Sequence, residues 1–166
     1  MIKRTFRKVL LVLIFSVCVL NISAHPPKHE MRGVWIASVS NIDWPSRQNL
    51  TCDEQQKELT VILDGLAANN INTVIVQVRP SADALYNSYY EPWSHWLTGQ
   101  QGKRPEPFYD PLEFITDEAH KRFMDVHVWL NPYRVTANSK TDLCAEHLFF
   151  KNQDLFIQYA NKYYFD

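Results

Sequence analysis

The sequence predicts an α/β fold built on a parallel sheet, and two observations lead to this class. Short, nearly continuous runs of aliphatic and β-branched residues recur along the chain, as is typical of strands buried on both faces. Amphipathic segments that begin with helix-capping residues lie between these runs. Strands that are separated by helices pair in parallel, and 166 residues, 46% hydrophobic and 21% charged, suffice for one such domain.

The first strand and the first helix are predicted between residues 33 and 70. Gly33–Val39 is a nearly continuous apolar run that ends in turn residues. Thr51 and Glu54 have the spacing of a capping box, in which each side chain satisfies a free backbone N–H group at a helix start. Asn69 and Asn70 favour the left-handed conformation that ends a helix. Between these signals the apolar residues recur at helical spacing: Leu59, Ile62, Leu63, Leu66 and Ala67.

Two further strands and a second helix follow. Ile71–Arg79 is rich in β-branched residues and is stopped by a proline, and Asp125–Arg134 has a similar pattern. Asp110 before Pro111 predicts a helix start, and that helix is expected to end near Arg122. The sequence therefore contains about three βα units.

Two long segments lie outside these elements. Residues 80–109 far exceed the about 2 to 6 residues of an ordinary βα loop, and their many aromatic residues argue against disorder. A functional loop is predicted there. Thr136–Asp166 is predicted as another long loop, with a helix at Leu155–Ala160.

Polar side chains cluster where the predicted strands end. Arg79 lies on one face of the second strand, and His127 and Asn131 share one face of the third, whereas the alternating valines face the other way. The carboxyl ends of the strands form the active-site edge of parallel barrels. Arg79, His127 and Asn131 are therefore expected to converge on one cleft.

Two acids follow the strand ends. Asp43 lies just past the first strand and Asp83 just past the second, where a carboxylate can serve as acid, base or acceptor for a sugar hydroxyl. Structural roles remain open for the whole group. Asp83 could cap its loop or pair with Arg79, His127 could be a core histidine, and Asn131 could only shape the turn before Pro132.

Aromatic residues near this edge offer flat apolar faces with polar margins, which suit stacking on sugar rings. These residues are Trp44, Tyr86, Trp93, Trp96 and Tyr133. For Trp93 and Trp96, packing in the core is the expected role.

The N-terminus has the order of a secretory signal peptide, predicted over residues 1–24. Four basic residues precede an apolar run from Val9 to Leu20, and Ala24 suits the position before the cleavage site. The run is shorter than the about 20 residues that cross a bilayer. We therefore expect residues 25–166 to be exported to the periplasm or the extracellular space, without membrane attachment after cleavage.

Charge and motif content disfavour several other classes. Cleavage removes four of the 17 lysines and arginines and none of the 18 acids, so the mature chain has a formal net charge of −5, which argues against nucleic acid. The six histidines lack metal-site spacing, and the four glycines form no phosphate-binding cluster. No metal or cofactor is predicted. Cys52 and Cys144 are expected as free thiols, with a disulfide as the alternative.

Seven ordered motifs resemble those of the glycosyl-hydrolase-like 10 family and cover almost all of residues 30–134. They are Arg32-Gly-Val-Trp35, Asp43-Trp-Pro45, Gln77-Val-Arg-Pro80, Asp83-Ala-Leu-Tyr86, Glu91-Pro-Trp-Ser94, Asp110-Pro-Leu112 and His127-Val-Trp-Leu-Asn-Pro-Tyr-Arg134. The resemblance implies a (β/α)₈ barrel of the TIM type, about twice as long as this chain, exported by bacteria and acting on glycans. Phe123 stands where the family usually turns with a glycine, and the family's acid-rich segment is expected beyond Asp166.

The leading hypothesis is a glycoside hydrolase that cleaves O-glycosidic bonds of a polysaccharide or cell-wall glycan. Asp83 is its catalytic candidate in this sequence, although its principal acids are expected beyond a truncation at Asp166, which would leave the fragment inactive alone. The predicted substrate-binding residues are Trp44, Arg79, Tyr86, His127, Asn131, Tyr133 and Arg134. The alternative is a non-catalytic glycan-binding or structural protein that uses the same edge.

Overall fold

The structure, a computed structural model, describes residues 30–136 and 142–166. The predicted signal peptide, residues 1–24, lies outside the described residues. Three strands form a parallel sheet in the order β1 (Gly33–Ile36), β2 (Thr73–Arg79) and β3 (Asp125–Leu130). The predicted class, α/β with a parallel sheet, is confirmed. Of the described helices, none has the length and hydrophobicity needed to cross a membrane.

Helix α1 (Cys52–Ala68) connects β1 to β2 and begins at the predicted capping box. The Thr51 hydroxyl accepts a hydrogen bond from the Glu54 amide at 3.2 Å, and the Thr51 amide donates to the Glu54 carboxylate at 2.8 Å. Asn70 has a φ of 58°, the left-handed conformation predicted at the end of this helix. Local sequence signals therefore fix both ends of α1.

A single-turn helix, α2 (His95–Thr98), lies in the long loop after β2, and helix α3 (Pro111–His120) connects that loop to β3. The Asp110 carboxylate caps α3 by accepting hydrogen bonds from the amides of Leu112 at 2.9 Å and Glu113 at 3.3 Å. Three residues after α3 ends, Phe123 has a φ of 58°. This left-handed position explains why glycine is the residue expected there.

The core lies between the sheet and the two long helices. Val74, Val76 and Val78 of β2 are buried together with leucines of α1 and with Ile115 and Ala119 of α3. The opposite face of the sheet contains larger and more polar side chains. There the rings of Trp35 in β1 and Trp129 in β3 meet edge to face, with centroids 5.2 Å apart.

The C-terminal segment differs from the prediction of a helix at Leu155–Ala160, which is wrong. After a single-turn helix, α4 (Leu148–Lys151), strands β4 (Phe156–Tyr159) and β5 (Lys162–Phe165) form an antiparallel hairpin. Aromatic residues pair across its strands, and the ring centroids of Phe156 and Phe165 lie 4.6 Å apart. The helical periodicity of a six-residue window is too weak to outweigh such pairing.

Candidate functional site

Arg79, the last residue of β2, joins four parts of the chain at the carboxyl edge of the sheet. Its Nε donates a hydrogen bond to Glu91 Oε1 at 2.7 Å, and its Nη2 forms an ion pair with the same carboxylate. Its Nη1 donates to the Asn131 carbonyl oxygen just past β3, and the guanidinium lies 5.5 Å from the centroid of the Phe165 ring in the hairpin. The side chains of Arg79 and Glu91 are each only 12% exposed.

Asn131 fastens the end of β3 to the end of β2. Its side-chain amide donates to the Pro80 carbonyl at 2.9 Å, and its Oδ1 accepts from the indole N–H of Trp129 at 2.9 Å. Its backbone amide donates to the Arg79 carbonyl at 3.0 Å. The structure therefore brings Arg79 and Asn131 together, as the sequence predicted.

Asp83 is fully buried in the long loop that follows β2. Its Oδ1 accepts from the Ser81 amide at 3.3 Å and its Oδ2 from the Gln101 side chain at 3.3 Å, while His95 Nδ1 lies 3.7 Å from Oδ2. These contacts are long for hydrogen bonds to a carboxylate. Within residues 30–136 and 142–166, no lysine or arginine forms an ion pair with Asp83.

Asp83 faces a cavity of about 340 Å³ at this edge of the sheet. Four separate parts of the chain contribute polar residues to its lining: Ser40 from the turn after β1, His95 and Gln101 from the long loop, Arg134 from the turn after β3, and Lys162 from β5. Trp96 also lines the cavity, and its indole N–H is buried without a hydrogen-bond partner among the described residues. The cavity thus combines an acid, two cations and an unpaired donor.

His147, the N-cap of α4, is a buried member of the same region that the sequence did not indicate. Its Nδ1 accepts a hydrogen bond from the Phe149 amide at 3.1 Å, so the proton of the neutral ring is on Nε2. Burial lowers the pKa of His147, although the carboxylates of Asp83 and Glu91 act in the opposite direction. The imidazole is thereby kept neutral beside the charged groups of the site.

Because the pKa of His147 is lowered in the folded protein, we predict that His147 reduces the stability of the fold as the pH falls below about 6.5. This limit is the usual pKa of a histidine in an unfolded chain. In that range the unfolded state binds a proton that the folded state resists, so acidification favours unfolding. His147→Asn retains a side-chain acceptor for the Phe149 amide but does not titrate. Thermal unfolding of the full-length protein, measured between about pH 7 and about pH 5.5, should show a smaller fall in Tm for the variant than for the wild type. Parallel falls would contradict the prediction.

The other predicted site residues are dispersed. Trp44 is fully buried and its indole donates to the Gln55 carbonyl at 2.8 Å, so it presents no ring face to solvent. His127 is exposed and pairs with Ile75, which lies four residues before Arg79, or about 13 Å along the strand. It therefore does not share the cleft with Arg79.

Tyr86 is half-buried against the core, and burial raises the pKa of its hydroxyl. Tyr133 is 66% exposed just past β3, next to Arg134. At the first strand end, the Asp43 carboxylate accepts a hydrogen bond from the Ala37 amide at 2.8 Å, which makes it a loop cap. Asp83 thus remains as the acid at the cavity.

Several residues of the site were not proposed from the sequence, among them Glu91, His95, Gln101, His147 and Lys162. Glu91 stands in one of the seven family motifs, which is the signal that could have identified it. Cys52 and Cys144 are both free thiols. In the part of the chain that the structure describes, no group of three or more histidine, cysteine or acidic side chains could hold a metal ion.

The fold and the site together define a parallel α/β protein with a polar cavity at the carboxyl ends of its strands. Comparison with known proteins identifies the family. Glycosyl hydrolase-like 10 matches residues 30–164, and the chain belongs to this family. Glycosyl hydrolase YngK of Bacillus subtilis is 49% identical over 139 residues, which are 82% of this chain and 27% of that protein.

A second relative gives the same result. Glycosyl hydrolase DigH of Escherichia coli K12 is 46% identical over 123 residues, which are 70% of this chain and 28% of that protein. The chain therefore spans between a quarter and a third of the length of these curated relatives. The resemblance found in the seven motifs is confirmed.

Proposed function

We propose that the full-length protein is a glycoside hydrolase that cleaves O-glycosidic bonds in a polysaccharide or cell-wall glycan. The observation that carries this proposal is Asp83, a buried carboxylate that faces a cavity at the carboxyl edge of a parallel sheet. In barrel enzymes this edge is where catalytic residues gather. Membership of a glycosyl hydrolase-like family supports the same chemistry, as does the fact that both relatives are named as glycosyl hydrolases.

The proposed architecture is a (β/α)₈ barrel of the TIM type, in which β1, β2 and β3 are the first three strands. Two features support it: the parallel order of the strands and the burial of the valine face of β2 against α1 and α3. In such a barrel the opposite face points to the lumen. Gln77 lies on that face, and its side-chain Oε1 accepts hydrogen bonds from the backbone amides of Ser38 at 3.1 Å and Val39 at 2.9 Å, which connects the ends of β1 and β2.

Asp83 is the proposed proton-transfer group. Hydrolysis by the usual route needs one carboxylic acid that protonates the leaving oxygen and a second carboxylate that acts as nucleophile or activates water. Glu91 is already paired with Arg79. We therefore place the second carboxylate in a part of the full-length protein beyond the described residues. Arg134, which lines the cavity, is the proposed contact to sugar hydroxyls, and its exposed neighbour in the chain, Tyr133, is the proposed contact to a sugar ring face.

The protein is proposed to act after export, in the periplasm or outside the cell, with a glycan as its partner and without nucleic acid or cofactor. The signal pattern of residues 1–24 and the acidic balance of residues 25–166 support this location.

A second candidate is a non-catalytic glycan-binding protein. The observation that favours it is that Asp83 is the one acid at the described cavity, whereas hydrolysis needs two. Bacterial and plant polysaccharides should be incubated with the full-length protein, and both the release of reducing ends and the retention of protein should be measured. Reducing ends that accumulate with time are expected. Retention without any release would replace the hydrolase proposal with the binding one.

A further inference from the structure

Two adjacent tyrosines project from the long loop that follows β2. Tyr89 is 94% exposed and Tyr90 is 76% exposed, and their rings meet edge to face with centroids 5.2 Å apart. Folding of the described chain gains little from these rings because both remain in water. Both rings are therefore available to contact a partner outside the described residues.

The loop holds this pair in place from both sides. On one side the Asn87 amide donates to the Asp110 carboxylate, the cap of α3, at 2.8 Å. On the other side Glu91 is bound to Arg79 at the end of β2. Between these anchors the Ser88 hydroxyl accepts hydrogen bonds from the amides of Tyr90 and Glu91 at 3.2 and 3.1 Å. The exposed rings therefore stand on an ordered segment, which lowers the entropic cost of binding.

We propose that Tyr89 and Tyr90 form a glycan-binding platform that holds a polysaccharide chain next to the cleft. This inference rests on the proposed function, because it assigns to the same glycan a contact outside the cavity. The occupant is a glycan because tyrosine offers an apolar face for the C–H surface of a pyranose ring and a hydroxyl for its polar margin. The platform is continuous with the candidate site, since Glu91 follows Tyr90 directly and bonds to Arg79.

The test compares three variants of the full-length protein. The double variant Tyr89→Ala/Tyr90→Ala removes both rings, and Tyr89→Phe/Tyr90→Phe retains the ring faces. Phe123→Ala is the matched control, because Phe123 is also 94% exposed but precedes β3, at the amino edge of the sheet. Each protein is assayed for retention on insoluble cellulose, chitin and bacterial cell-wall glycan. KM and kcat are measured on a soluble polysaccharide and on a short oligosaccharide, and Tm is recorded.

The double alanine variant should be retained about tenfold less than the wild type, which corresponds to the loss of about 1.4 kcal/mol of binding. KM should rise on the polymer but not on the oligosaccharide. The phenylalanine variant keeps the ring faces and loses only the hydroxyl contacts, so its retention should lie between those of the double alanine variant and the wild type, whereas Phe123→Ala should behave as the wild type. Three results would each overturn the platform. The double alanine variant could be retained as well as Phe123→Ala, or the wild type could fail to be retained on any of the three glycans. The third is a large fall in the Tm of the double alanine variant, which would mark the rings as buried. If the wild type were retained more strongly than the double alanine variant but no glycan were hydrolysed, the platform would be supported and the hydrolase proposal would be rejected.

Discussion

Replacement of Asp83 by asparagine is expected to lower glycan hydrolysis by the full-length protein by about 100-fold or more, the usual contribution of a positioned proton-transfer group. Asparagine has the same shape, and its side-chain oxygen can still accept from the Ser81 amide or from Gln101. It cannot transfer a proton at the cavity. Loss of rate with little loss of stability is therefore the expected result, measured as kcat and KM from reducing-end release and as Tm.

Asp125→Asn is the control for the same chemical change at a different place. Asp125 is exposed at the start of β3, at the opposite edge of the sheet from the cavity, and its replacement should leave the rate unchanged. If Asp83→Asn lowered kcat while glycan retention stayed intact, Asp83 would act in the chemical step. A rate within about twofold of the wild type would remove Asp83 from the mechanism, because no acid–base group of the usual strength acts so weakly.

The elements that the sequence predicted correctly are those fixed by neighbours in the chain. The capping residues Thr51 and Asp110 accept hydrogen bonds from amides within three residues of themselves. A short stretch of sequence is therefore enough to predict where each helix begins. The valines of β2 alternate with period two and are buried on one side under both long helices. Such patterns predict the parallel sheet without knowledge of what lies far along the chain.

The parts that the sequence did not predict depend on contacts between distant residues. His147 comes close to Asp83 and Glu91 because residues 142–166, which are distant in the sequence, lie against the carboxyl edge of the sheet. The hairpin that contributes Lys162 to the cavity pairs through aromatic rings rather than through a repeated pattern. Arg79 and Asn131 were brought together as predicted, because the carboxyl ends of adjacent parallel strands meet at one edge.

Replacement of Arg79 by methionine is expected to destabilise the full-length protein by about 3 to 5 kcal/mol, because it leaves the Glu91 carboxylate buried without its partner. The variant also loses the hydrogen bond to the Asn131 carbonyl and the contact with the Phe165 ring, so the ends of β2 and β3 and the hairpin separate more easily. Urea unfolding followed by far-UV circular dichroism measures the loss. Arg104→Met is the matched control, since Arg104 pairs with Glu106 at 3.6 Å but is 64% exposed, and exposed pairs contribute little.

The double variant Arg79→Met/Glu91→Met separates the cost of an unpaired charge from the net contribution of the pair. Replacing both members of a buried pair by apolar residues of similar volume is often neutral or stabilising, so the double variant should recover most of the stability lost in Arg79→Met. If the single and double variants were equally unstable, Arg79 would stabilise the fold mainly through Asn131 and Phe165. If Arg79→Met cost less than about 1 kcal/mol, the guanidinium would contribute little to the fold, and its main role would lie in binding the glycan.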